Sequence, residues 1–299
     1  MTNSEKIRRK ALSLGFDLCG IARCRSLERQ YDRFKNWLAD GCDGGLEYLR
    51  RNTGKRFDPG ALCEGARSVI VCGIGYHRPP SAHEVASRIA SYAHSRDYHL
   101  TIRERLNELS AYLRELVPGA SGRVFTDTAP LAEKSWAVEA GLGWIGRNSL
   151  LANPRLGSFL LLGEVVTTAE LEPDAPFVRD GCGTCRACVD ACPVAAIRPD
   201  RTIDAGRCIS RRTIETGDGD EGDLHGWLFG CDVCQRACPY NRKAPVSVHD
   251  SFAPLAELER LDVDDWLGLD EAGFRRIFGE TPLARCGLRR LQERIRRLK

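Results

Sequence analysis

A chain of 299 residues, 42% apolar and 28% charged, has material for a sizeable core and for two or three domains, and this balance excludes disordered and fibrous classes. A net charge of +3 is too small to name a partner by itself. No run approaches the ~18 apolar residues of a membrane-spanning helix; the longest, 158–166, is strand-sized and broken by Gly163 and Glu164, so no membrane association is expected.

Arg8-Arg9 invites an export-signal reading, but the stretch after it is too short and polar for a signal's apolar region. Ile7, Ala11 and Leu14 recur at helical spacing instead, predicting an amphipathic first helix that ends at Gly15 and a chain that stays in the cytoplasm. Residues 1–50 read as helices, with Tyr31, Phe34, Trp37 and Leu38 as an apolar stripe broken at Gly44-Gly45. Residues 68–76 carry a buried-strand pattern, 101–116 a helix stopped at Pro118-Gly119, 123–127 a second strand and 158–166 a third. Strands alternating with helices predict an α+β chain that opens with a mixed α/β domain over 1–176. A linker at 172–176 leads to a cysteine-rich domain over 177–245. A helical segment over 246–299 follows, acidic at Asp262, Asp264 and Asp265 and basic at its end.

Eight of the fourteen cysteines lie between 182 and 238. Clustered thiols in a chain without a secretory signal point to metal. Cys182, Cys185, Cys188 and Cys192, followed by Pro193, have the C-x2-C-x2-C-x3-C-P spacing of bacterial ferredoxins. Three thiolates from one short loop can wrap one cubane, while the fourth cysteine reaches a second. Cys231, Cys234 and Cys238 before Pro239 repeat half of the pattern, and Cys208 lies between, giving eight ligands for two [4Fe-4S] clusters. The crossed assignment places Cys182, Cys185, Cys188 and Cys238 on one cluster and Cys192, Cys208, Cys231 and Cys234 on the other. The competing reading is a pair of tetrahedral zinc sites, which C-x2-C pairs also serve. Cys19, Cys24, Cys42, Cys63, Cys72 and Cys286 share no spacing and read as small buried hydrophobes.

Two clusters carry electrons and need an acceptor. The segment 127–149 suits a binding site: Asp127 ends a strand, Pro130 suits a first helical turn, and Gly141, Gly143 and Gly146 let backbone approach a large ligand. Asp127 would be a proton donor if burial raises its pKa; a helix N-cap is the alternative.

The run 127–148, the segment 157–164, both cysteine motifs, 90–99 and 56–59 closely resemble epoxyqueuosine reductase over nearly the whole chain. The resemblance implies a cobalamin-dependent iron–sulfur enzyme that reduces epoxyqueuosine to queuosine at the wobble position of certain tRNAs, the last step of that modification. It implies a cobalamin-binding first domain, Asp127 as proton donor, and Arg56, Tyr98, Lys134, Asn148, Ser149 and Ser158 in segments lining the corrinoid. Implied partners are a tRNA carrying epoxyqueuosine and an external electron donor, with the enzyme a monomer. Arg211 and Arg212 stand where the family usually has an aromatic and an aliphatic residue, and the chain stops where longer members enter a helical repeat extension. RNA contacts are therefore expected from Arg211, Arg212, Arg289 and Arg290. The alternative for the basic end is a solvated helix face whose Leu288, Leu291, Ile295 and Leu298 pack on the core. Other readings of the whole chain are a reductive dehalogenase and an electron carrier without chemistry of its own.

Overall fold

A computed structural model describes residues 1–215 and 221–298. Helix α1 (Asn3–Ser13) starts at a capping box in which Thr2 and Glu5 satisfy each other's backbone amides. The chain then enters β1 (Leu18–Arg23), passes through α2 (Glu28–Ala39) and α3 (Glu47–Arg50), and forms β2 (Ser68–Gly75), α4 (Tyr98–Leu116) and β3 (Gly122–Phe125). After α5 (Glu133–Glu139), a small hairpin of β4 (Trp144–Ile145) and β5 (Leu151–Ala152) precedes β6 (Leu160–Thr167). The main sheet is antiparallel with order β1-β2-β6-β3.

The central strands β2 and β6 are covered on both faces, which is why they read as continuous apolar runs. Ile70, Cys72, Ile74, Leu161 and Val165 pack with Ile7 and Ala11 of α1 and Ile102, Leu106 and Leu109 of α4. On the other face Val69, Val71, Leu162 and Val166 pack with Trp136 and Ala137 of α5. Each fully buried aliphatic side chain contributes about 1.5–3 kcal/mol. A Cβ on Gly163 would come within 2.6 Å of Ile102 and 2.7 Å of Leu106, so glycine lets α4 lie close on β6.

Residues 1–50 are therefore not helical throughout. β1 carries Gly20 and Ala22 where a strand pattern would show larger apolar residues, and its position follows from pairing, Cys19 opposite Cys72 and Ile21 opposite Ile70.

Among the described residues the cysteine-rich segment holds only short helices: α6 (Ala187–Ala191), α7 (Ile209–Glu215), α8 (Val233–Arg236) and α9 (Pro239–Arg242). The last segment has α10 (Val263–Gly268), α11 (Glu271–Phe278) and α12 (Leu288–Arg296). Its core of Trp266, Phe274, Phe278 and Leu283 is shared with Val85, Ile89, Leu228 and Phe229. Leu288, Leu291 and Ile295 are buried there and Leu298 packs against them, so the apolar face of the basic helix is a core face. No helix among the described residues is long and apolar enough to cross a membrane.

Candidate active site and cluster-binding cysteines

Asp127 lies just beyond β3 in the left-handed region (φ 52°), an uncommon conformation for a residue with a side chain. It does not cap α5, whose N-cap is Ala132, so the capping alternative falls. One carboxylate oxygen accepts from the Tyr98 hydroxyl at 2.9 Å and lies 3.2 Å from His99 Nε2. His99 Nδ1 is 2.6 Å from Asp97 Oδ1, which makes a chain Asp97–His99–Asp127. Half of the Asp127 side-chain surface remains open to solvent.

The His99 hydrogen bond, joined by that of Tyr98, outweighs partial desolvation and holds the Asp127 carboxyl below the usual carboxylate range. Burial works against charge on His99, but its hydrogen bonds to Asp127 and Asp97 and their charges push it up to about 9. Burial and the Asp127 charge keep Tyr98 a protonated donor. The expectation of a raised Asp127 pKa is thus reversed, because the hydrogen bonds favour the anion more than burial opposes it. At neutral pH the proton of this chain rests on His99, one hydrogen bond from the carboxylate.

Arg285, in the basic tail by sequence, pairs with Glu215 at 3.2 Å, and its charge reaches Asp127 and Asp97. Tyr48 is held protonated by burial and by the charges of Glu215 and Asp127. Tyr48, Arg211, Ile214 and Glu215 line one groove together with Cys208. A cysteine of the metal-binding pattern thus opens on the groove that also borders the Asp127 neighbourhood.

The eight cysteines form two electrostatic groups. Burial, then the charges of Cys182, Cys238 and Cys185, push the Cys188 thiol up, and Cys238 responds to burial and then to Cys182 and Cys185. Burial, then Cys208 and Cys192, push Cys231 up to about 12. Cys234 is raised by burial and by Cys231, Cys208 and Cys188, the last a member of the other group. All eight are free thiols. Among the described residues no three His, Cys, Asp or Glu side chains converge as ligands of a single metal ion. Zinc needs four sulfurs about 2.3 Å from one centre, whereas a cubane gives each thiolate its own iron. The donor chemistry and grouping fit two cubanes.

Candidate corrinoid contacts separate into two sets. Arg56 accepts from Ala132 N through its backbone at 2.8 Å, and Lys134 Nζ donates to Ser149 O at 2.6 Å, so both segments are tied to the start of α5. Asn148 Nδ2 and Arg56 Nε are buried and lack a hydrogen-bond partner. Such orphaned donors beside an open acid fit a ligand rimmed with amides, as a corrinoid is. Ser158 lies elsewhere: its amide donates to Asn241 Oδ1 at 2.6 Å and its hydroxyl meets Gln235 and Asn241. The glycines also serve the protein itself. A Cβ on Gly143 would meet Ala152 O at 2.1 Å, and one on Gly141 (φ 76°) Ala175 O at 2.7 Å. Arg211 bonds Gly44 O and Arg212 Gly206 O, both partly buried, while Arg289 is exposed on α12 and pairs with Glu293 at 3.2 Å.

Comparison with known proteins agrees with this geometry. A family described as "Epoxyqueuosine reductase QueG, DUF1730" matches residues 56–128, and a "4Fe-4S double cluster binding domain" matches 181–241. An epoxyqueuosine reductase of Cyclobacterium marinum is 40% identical over 98% of this chain and 96% of its own length.

The chain belongs to the epoxyqueuosine reductase family.

A crystal structure of another member, with an epoxyqueuosine-modified tRNA-Tyr stem loop, superimposes with TM-score 0.87 at 26% identity, over 97% of this chain and 79% of that one. The Bacillus subtilis member, with its catalytic aspartate loop swung out of the active site, gives 0.88 at 25% identity over the same shares. A reductive dehalogenase at 18% identity and TM-score 0.51, covering 97% of this chain and 37% of that one, shares the fold only.

Sequence reading did not single out His99, Tyr48, Arg285, Glu133 or Glu164 for chemistry. The one local signal was Glu164, a charged residue inside an otherwise apolar strand.

Proposed function

We infer that this chain reduces epoxyqueuosine to queuosine in tRNA, using two [4Fe-4S] clusters and cobalamin. The observation that carries the reading is the proton chain Asp97–His99–Asp127, open on one side and bordered by a groove that Cys208 lines. Cys182, Cys185, Cys188 and Cys238 would hold one cluster and Cys192, Cys208, Cys231 and Cys234 the other. Arg56, Lys134, Asn148 and Ser149 would hold the corrinoid beside Asp127, with Tyr98 fixing the carboxylate.

Removing the epoxide oxygen as water takes two electrons and two protons and leaves a carbon–carbon double bond. The chemistry the corrinoid supplies when bound is cleavage of the carbon–oxygen bond, fed by single electrons from the clusters. The protein's part is protonation and positioning. Asp127 passes a proton to the departing oxygen and is recharged by His99, whose own charge Asp97 stabilises. Tyr98 keeps the carboxylate aimed, and a Bacillus subtilis member whose catalytic aspartate loop swings out of its active site supports reading the Asp127 loop as the equivalent segment.

The exposed side of α12, with Arg289 and Arg290, is the surface assigned to tRNA phosphates; the inward bonds of Arg211 and Arg212 give them a part in shaping the groove. The same reading makes the chain a cytoplasmic monomer loaded by an external one-electron donor. Its division is functional: 1–176 for the corrinoid, 177–245 for the clusters and 246–299 for a helical brace.

The test is anaerobic purification, metal analysis and turnover on an epoxyqueuosine-containing stem loop. Iron near eight per chain, bound cobalamin and product formation are expected. Zinc in place of iron, or iron with no capacity for cobalamin, overturns the reading; iron and cobalamin with dehalogenation but no RNA turnover favours the dehalogenase.

A further inference from the structure

Glu164 is fully buried, mid-strand in β6, opposite Val71 and Phe125. Its face of the sheet is otherwise lined by Leu162, Val166, Val71 and Trp136. An ionised carboxylate without partners there would cost several kcal/mol. Neither of its oxygens receives a hydrogen bond from any protein donor. What it faces is a second carboxyl, Glu133 at the start of α5, within hydrogen-bond reach. Two carboxylates have no donor between them, so this contact becomes a hydrogen bond only when a proton lies on the pair. Glu133 also accepts a short hydrogen bond from the Asp127 amide, the left-handed residue that carries the acid.

We propose that Glu133 and Glu164 form a proton-bridged carboxyl pair that latches the Asp127 loop closed over the reaction site, with Glu133 as the positioning residue that grips the Asp127 amide. The inference rests on Asp127 being the acid of the proposed reaction. The pair has a separate part to play, which is to hold a strained backbone in place and to set the charge behind it.

The groups around the pair fix its pH response. Asp127 faces Glu133 from the loop, Lys134 lies beside it on α5 and Tyr98 approaches from α4, while Cys72 of β2 senses the Glu164 charge from the opposite face of the sheet. Burial first, then the Asp127 charge, push Glu133 up from 4.5 to about 7, and burial and Glu133 hold Glu164 well above its ordinary value. With the loop out, burial and the Asp127 charge are relieved and Glu133 returns toward its ordinary value. The closed loop therefore binds more protons than the open one. Closure is favoured at low pH and is lost as pH rises through about 7, when an anion appears behind the Asp127 carboxylate.

Hydrogen exchange of the 126–129 amides in the cluster-loaded protein, corrected for intrinsic rates, tests the latch without turnover. Wild type should lose protection above pH 7. Glu133→Gln, neutral but still an acceptor, should stay protected at pH 6 and pH 8, and Glu133→Ala should exchange at least tenfold faster at both. The kcat/KM limb near pH 7 should flatten in Glu133→Gln. Protection that is flat or rises with pH in wild type, or Glu133→Ala exchanging like wild type, overturns the latch. An intact exchange pattern with no epoxyqueuosine turnover would sink the proposed function and leave the latch standing.

Discussion

The main sheet and the cysteine-rich segment are held together by different forces. In the sheet, β2 and β6 lie between two helical layers and fully buried Ile70, Val71, Val165 and Val166 meet apolar partners on both faces. Among the described residues of 177–245 the helices run four to seven residues, below the length at which helices persist unaided. That segment instead packs eight thiols, and burial and neighbouring cysteine charges hold Cys188, Cys208, Cys231, Cys234 and Cys238 against ionisation. Apolar burial stabilises the first region before any cofactor arrives, whereas the second needs metal to make its thiolates compatible with one another.

Stripping the clusters should expose that contrast most strongly. Turnover should vanish with the visible cluster absorption, and limited proteolysis should cut within 177–245 while the sheet core resists; a sheet that unfolds with the clusters would erase the distinction. Asp127→Asn should lower kcat about 10²–10⁴-fold with the cluster spectrum unchanged, since general acid–base groups contribute on that scale. Retained activity would leave Asp127 with a structural part only. His99→Gln should cost roughly tenfold or more at pH 7, because it removes the recharging proton. The wild-type alkaline limb near pH 9 should go with it. The sign follows from a raised imidazole: its contribution is full below the ordinary value of 6.5 and is lost as pH rises through about 9. The smallest effect belongs to Ile70→Val, which should lower stability by about 0.5–1.5 kcal/mol in thermal unfolding and leave turnover alone.

Much of the site was legible because its chemistry is written locally. Cysteine spacing is a property of one short loop, and Asp127 follows an apolar strand directly. His99 was harder, since a lone histidine at the first turn of α4 acquires meaning only when Asp97 and Asp127 flank its ring. Arg285 looked like one more cation of a basic tail until folding set it against Glu215. Gly141 and Gly143 misled for the converse reason: glycine signals close approach without saying to what, and here it is the protein's own backbone.

The sequence by itself determined the double-cluster segment, the central strands and the family, because these rest on spacing and alternation along a continuous stretch of chain. Only the tertiary structure decided that His99 lies against Asp127, which tail arginine borders the site, and that Glu133 meets Glu164 behind it. Those depend on distances between residues far apart along the chain, which no local pattern encodes and which the packing of α4, α5 and the last helices against one sheet fixes.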